Sequence, residues 1–329
     1  FGRLGVGISR RVGGMTMLHV SGSYRSTDFL TRRTDLNLLV SPAAQDQHGR
    51  PIYGPLQKSG ELVNVAHPHR RFDDFDRVSA LTADGWSRYW GITLGLEREF
   101  NGSYAYFANY TYSRTTDNWL GIRSGAPDAQ LTPFPEDAAD WREGTSDYDL
   151  PHRISAGLEI RPQISLSPRI TALYSYRSGY PFTPGFREGV DVNGDGSSRN
   201  DPAFVDDAIA GVPELISSWD CLSEQRGRFA ERNACRQSGV HGLNARVALS
   251  ISATPRLSAQ VYLDAINLLE SEVGEPDRAL YLINSSGSLV VNQATGTVSL
   301  PMVANPHFGE PIARTGAGRM LRIGLQGHH

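Results

Sequence analysis

The chain has 329 residues, 39% of them hydrophobic, and a formal net charge of −3 at neutral pH. That balance offers no bulk electrostatic argument for a nucleic acid or an acidic membrane surface as partner. With 34 Gly, 19 Pro and 13 Tyr it points to strands and turns, and without an apolar run of roughly 18 residues it excludes a transmembrane helix but not a transmembrane β-barrel. The opening "FGRLGVGISRRVGG" has no Met and reads as a strand already under way, so a mature piece or fragment of a longer polypeptide is expected.

A weak hairpin comes first, from Leu4–Ile8 and Leu18–Tyr24. Next, "WSRYWGITLGLERE" alternates strictly: Trp90, Ile92, Leu94 and Leu96 form an apolar face, opposite Tyr89, Gly91, Thr93, Gly95 and Glu97. The turn "FNGS" follows, and Asn-Gly is the strongest short hairpin signal because both central residues take positive φ. The returning "SYAYFANYTYSR" sets Tyr104, Tyr106, Ala108, Tyr110 and Tyr112 against Ala105, Phe107, Asn109, Thr111 and Ser113. Since Asn109 belongs on a wet side, the tyrosine face is the one expected to turn to lipid or core. "HRISAGLEIRP" and "RITALYSYR" repeat the hairpin through Ile154, Ala156, Leu158 and Ile160, answered by Ile170, Ala172, Tyr174 and Tyr176. "NARVALSISA" and "RLSAQVYLDAINLL" repeat it again, and "RMLRIGLQ" supplies a last strand.

These are about nine strands, joined alternately by turns of a few residues and by loops of roughly 25 to 80, far beyond connections inside compact domains. Short turns on one side and long loops on the other are the pattern of outer-membrane barrels, whereas a β-sandwich more often has similar connections at both ends. The expected fold is therefore all-β, an antiparallel transmembrane β-barrel segment with long extracellular loops and short periplasmic turns. The C-terminus then lies in the periplasm. Nine is odd, and open edges are forbidden in lipid, so an odd number of further strands is expected upstream. The polar faces, with Tyr89, Thr93, Glu97, Asn109, Ser155, Glu159, Arg161, Ser250, Gln260, Tyr262 and Asp264, would line a lumen.

Site residues have two readings each. "DVNGDGSSRND" places Asp191, Asn193 and Asp195 at positions 1, 3 and 5 of a calcium loop and Gly196 at position 6, but position 12 is Pro202. It reads as a turn ordered by Asx hydrogen bonds, or as a weak calcium site completed by Asp201 or Asp206. Cys221 and Cys235 read as a disulfide in an oxidising compartment, or as two free thiols. His67, His69, Asp73 and Asp74 in "HPHRRFDDFD" read as a solvated loop or a transition-metal set. Trp86, Trp90, Tyr110, Tyr112 and Trp119 read as a bilayer-interface girdle or as ligand-stacking platforms. There is no GxSxG elbow, HExxH helix, P-loop or Rossmann fingerprint, so no catalytic function is expected.

The succession "VSGSYRSTDFLTRRTDLN", "YWGITLGLEREFNGSYAYFANYTYSRTTDNW", "DYDLPHRISAGLEI", "YSYRSGYPFTPGFREGVDVNGDGSSRNDPAF" and "LDAINLLE" resembles the C-terminal barrel half of TonB-dependent outer-membrane receptors. It is most similar to the Oar-like branch, whose members carry an N-terminal carboxypeptidase-regulatory-like domain. The resemblance implies a barrel of about 22 strands filled by an N-terminal plug, importing an extracellular ligand with energy transmitted through TonB. Neither the plug nor the TonB-contacting box lies in this sequence. One departure is the ending "LQGHH", where the family tends to finish on an aromatic residue.

Overall fold

Period-2 alternation becomes nine long strands of one antiparallel sheet in the computed structural model, which describes residues 1–39, 44–65, 67–118, 143–164, 168–198, 200–254, 257–316 and 318–328. The strands are β1 (Gly2–Arg11), β2 (Thr16–Asp35), β3 (Ser79–Arg98), β4 (Tyr104–Asp117), β5 (His152–Ile160), β6 (Arg169–Arg177), β7 (Val240–Thr254), β8 (Leu257–Ile266) and β9 (Met320–His328). Each pairs with its neighbour in sequence, and a two-residue strand, Gly144–Thr145, adds to the end of β4. β1 and β9 are the sheet's two edges. No described helix is long and apolar enough to cross a membrane, which says nothing of a strand-built crossing.

Register carries the side-chain pattern from strand to strand. Along one line, Val6 faces Gly22, Gly22 faces Ile92, Ile92 faces Tyr112 and Tyr112 faces His152. Another joins Tyr104, Ile160, Ile170, Val247, Leu263 and Ile323. The opposite face is small and polar: Ser9, His19, Gly95, Asn109, Ser155, Ser175 and Gly242 form one continuous line. A one-residue slip at any pairing would exchange the faces beyond it. Leu4, Val6, Ile8, Ile92, Leu94, Ile323 and Leu325 are all exposed on the apolar face, an arrangement that water penalises and lipid does not.

Turn chemistry fixes the tight ends. Asn101 Oδ1 accepts the backbone N–H groups of Ser103 and Tyr104, both at 3.2 Å, and Gly102 takes φ 93°, which an L side chain rarely adopts. Glycines on the polar face give room to large neighbours. A Cβ on Gly157 would lie 2.3 Å from the Phe107 ring, and one on Gly324 would lie 2.2 Å from the Tyr262 ring. Each pair is directly opposed across a strand pairing, so an aromatic ring covers the bare backbone beside it.

Two short helices follow one another in the loop after β6: α1 (Val212–Ser218), which begins within "IAGVPEL", and α2 (Asp220–Ser223). Gly211 caps α1 with φ 88°, and Pro213 sits in the first turn, where its missing N–H costs nothing.

Replacing Gly324 with Ala forces the Tyr262 ring, and the Arg246 guanidinium stacked 4.4 Å from it, out of place. The expected loss is about 1–3 kcal/mol, read as a lower urea midpoint for the heat-modifiable gel band of the protein in lipid vesicles. An unchanged midpoint would refute the packing role given to this glycine.

Candidate functional site

The hydrophobic core of this chain lies in its loops rather than in its sheet. The described residues of the segments 36–78, 178–239 and 267–319 all leave the same end of the sheet and fold on one another. Val63 of the first, Phe182, Phe186, Val192, Val205 and Leu222 of the second, and Leu280, Tyr281, Ile283 and Phe308 of the third form one buried cluster. Backbone pairing ties the segments together. Val63 bridges Val190, Gly185 bridges Ala279, and Val298 pairs in parallel with Asp46. Cys221 and Cys235 are joined by a disulfide, with Cα atoms 5.2 Å apart, which anchors α2 to the strand Cys235–Arg236.

Arg50 is the polar centre of this cap, only 1% exposed. Its Nε donates to Asp46 at 3.2 Å, one terminal nitrogen to Asp201 at 3.3 Å and the other to the Pro202 carbonyl at 2.5 Å. Phe229 and Phe186 lie 4.9 and 5.7 Å from the guanidinium. His48 stacks on Phe204 at 4.4 Å and pairs with Asp206 at 2.9 Å, which is held below the ordinary carboxylate range by that bond against the opposing effect of burial. Other arginines fasten cap to sheet. Buried Arg232 meets Asp117 at the end of β4 at 2.6 Å, Arg236 meets Asp149 at 2.6 Å, and Arg70 meets Asp35 at the end of β2 at 2.6 Å.

The acidic loop is part of this packing. Asp191, Asn193, Asp195 and Asp201 are brought together and are each at most 5% exposed. Their oxygens are largely occupied by the loop itself. Asp191 accepts from the N–H of Gly194 at 2.7 Å and of Gly196 at 2.9 Å, Asn193 from Asp195, Asp195 from Ser197, and Asp201 from Val192. Asn193 and Asn200 donate side-chain N–H to Asp195 at 3.0 and 2.7 Å. Among the described residues, no group of three or more His, Cys, Asp and Glu side chains is arranged to hold a metal ion. Burial, and then the Asp195 charge, push the Asp191 carboxyl up to about 7. Burial also raises Asp201 well above its ordinary value, against the pull of Arg50. His67, His69, Asp73 and Asp74 are exposed.

Below the cap, the apolar face of the sheet carries aromatic side chains. Trp90 and Tyr112 meet edge-on with ring centres 5.4 Å apart. Tyr110 Oη lies 2.8 Å from His152 Nδ1, and Tyr174 Oη lies 2.8 Å from His241 Nδ1, the same clasp one hairpin later. At the tight-turn end, Tyr104 and Tyr106 stack at 6.4 Å, with the Arg98 guanidinium 4.6 Å from Tyr104. Trp86 is partly buried beside Arg88, and Trp119 lies outside the described residues. On the polar face, Asp264 lies between Arg246 at 2.5 Å and Arg322 at 2.6 Å, three residues opposed across β7, β8 and β9. His19 pairs with Glu97 at 2.9 Å, and Thr93 with Thr111 at 2.9 Å.

Residues 4–162 match the model of a family described as "Outer membrane beta barrel domain". The antiparallel sheet, apolar on one face and polar on the other, has the fold of an outer-membrane β-barrel wall, open here between β1 and β9. In such a wall the apolar face is the one turned to lipid, and rows of Trp and Tyr are the residues that suit its boundary with water. No curated protein matches the sequence. Among solved structures, the outer membrane transporter YddB from Escherichia coli is similar over 99% of this chain at a TM-score of 0.46 and 8% identity, and this chain spans 32% of that one. The two faces of the wall follow from alternation in the sequence, whereas the core of the cap and the role of Arg50 do not.

Arg50→Met strands the Asp46 and Asp201 carboxylates without their buried cation and is expected to cost about 3–5 kcal/mol, seen as rapid proteolysis of the cap on a barrel that keeps its heat-modifiable shift. Equal protease resistance would refute the assignment. The acidic loop should be pH-dependent. Asp191 holds its proton to about pH 7 when folded and to about 4 when unfolded, so between these values the folded loop binds more protons than the unfolded one. Its stability therefore falls as pH rises through that window and levels off above it. Hydrogen exchange across 189–198 should be slower at pH 5 than at pH 8 after correction for the intrinsic rate; the reverse order would refute it.

Proposed function

We propose that this chain is the ligand-capturing, cap-bearing part of a TonB-dependent outer-membrane receptor of the Oar-like kind. The observation that carries the reading is an ordered cap, with its own core, disulfide and buried ion pairs, built over the loop end of a wall whose inner face is polar. A wall that only shielded a channel would not need loops folded around a buried core of their own. A cap of this kind presents a shaped surface to an extracellular ligand, and the polar face beneath offers it a hydrated path. On this reading the cap is extracellular, the tight turns and C-terminus are periplasmic, further strands close β1 to β9, and an N-terminal plug of the same polypeptide contacts the polar face. The protein binds and passes a ligand without altering it. The chemical class, siderophore, peptide or carbohydrate, is the open variable of the screen below.

A second reading, a surface-binding module without active transport, draws on the same cap, because its core closes within this chain and needs no plug. Calcium at Asp191, Asn193, Asp195 and Asp201 would have to share oxygens that already accept the loop's amide N–H groups; calcium titration followed by hydrogen exchange over 189–201 tests it, and unchanged protection rules it out.

Outer-membrane fractionation, the heat-modifiable gel shift and protease treatment of whole cells test the placement: the expected result is outer-membrane recovery with cleavage confined to the cap. Uptake of labelled siderophores, peptides and glycans is then compared in cells with and without TonB. TonB-dependent accumulation supports transport; binding that is equal in both strains, without accumulation, supports the second reading.

A further inference from the structure

One feature of the lipid-facing surface is neither cap nor lumen. Where β1, β2 and β3 meet, Gly22 lies between Val6 and Ile92 in register and leaves a trough in the apolar face. Leu4, Val6, Tyr24, Trp90 and Ile92 wall it, around a cavity of about 310 Å³, the lower end of the range for small-ligand sites. A Cβ added to Gly22 would meet nothing within 4 Å, so the hollow lies directly over its backbone.

A trough in hydrocarbon fills with whatever lipid passes, so apolar shape alone is not selective. A cation beside it, across the Trp90 wall, supplies selectivity. Arg114 is opposed to Trp90 in register, two residues along β4 from Tyr112, and so stands on the same face nearer the cap. It is exposed and forms no ion pair among the described residues. Its neighbour Arg88 differs in that Asp28, 2.5 Å away, already neutralises it. The Trp90 and Tyr112 rings mark the level where hydrocarbon gives way to headgroups. A guanidinium at that level with no carboxylate partner among the described residues is open to an external anion, and a phosphate monoester matches its planar donor fork. His152, opposed to Tyr112 on the same face and hydrogen-bonded to Tyr110, is a further donor beside it.

We propose that this trough is a specific lipid site, seating one acyl chain of a phosphorylated glycolipid of the outer leaflet over Gly22, with the lipid's phosphate on Arg114. The choice of leaflet rests on the orientation given under the proposed function. Chain and phosphate must be recognised together, because the trough and the cation occupy adjoining positions on one face.

The test uses the full-length protein in detergent, titrated with bisphosphorylated lipid A, its dephosphorylated form and phosphatidylglycerol, with bound lipid counted by native mass spectrometry. The expected result is one retained lipid A, held at least tenfold more tightly than the dephosphorylated form. Arg114→Gln should abolish that preference. Gly22→Leu, which fills open space and leaves the barrel folded, should weaken both forms at least tenfold, with the heat-modifiable shift confirming folding in both variants. Retention indifferent to either substitution, or equal for the dephosphorylated lipid, would overturn the site. A preference for phosphatidylglycerol that both variants abolish would overturn the outer-leaflet occupant. Whole-cell proteolysis of the cap, which does not depend on lipid, then reports whether the orientation failed as well.

Discussion

In hydrocarbon a backbone N–H or C=O has no water to fall back on, and that single constraint organises this molecule. Every strand of the wall must hand its hydrogen bonds to the next, so the eight registers between its nine strands are linked in series and none can shift alone. With side-chain period fixed at two, that ladder also decides which side chains meet lipid. The line from Ser9 through His19, Gly95, Asn109 and Ser155 to Ser175 is polar because the line beside it, through Leu18, Leu96, Ala108 and Ala156 to Tyr174, must be apolar.

The cap obeys the opposite rule. It sits in water, its backbone can bond solvent, and its order comes from burial and charge pairing. The two regimes meet at a ring of arginines and aspartates: Arg70 with Asp35, Arg232 with Asp117, Arg236 with Asp149. These are well suited to the junction, since a guanidinium can cap a strand end, neutralise a carboxylate and bond a stray carbonyl at once. Arg236 does this, donating to the carbonyls of Asp149 and Gly179 as well as to the Asp149 carboxylate.

The wall was legible because its information is local. Alternation in "WGITLGLE" and "YAYFANYTY" and the Asn-Gly between them declare strand, face and turn within a few residues, and the pairing follows from sequence adjacency. The cap was not legible because its information is distant. Arg50 meets Asp201 and Pro202 some 150 positions away, and no periodicity in either segment announces the other. The acidic loop falls between these cases. Its residue types and spacing are plain in the sequence, but whether the carboxylates serve an ion or their own backbone depends on which amides the fold turns toward them. Helix α1 is hard to read for a simpler reason, since a proline that breaks a helix in its middle is well placed at its start.

The repeated clasp of tyrosine and histidine, Tyr110 with His152 and Tyr174 with His241, marks the unit from which such a wall is assembled. Each clasp spans the seam where one hairpin's returning strand meets the strand that opens the next. A two-strand module restores both chain direction and inside–outside parity, so a wall can grow or shrink by whole modules while every cap loop stays at the same rim. Gaining a single strand would reverse all that follows and carry the next long loop to the wrong side of the membrane. The circumference of such a barrel is in that sense quantised in pairs, and the diversity of its bearers must come from the loops that the pairs leave free.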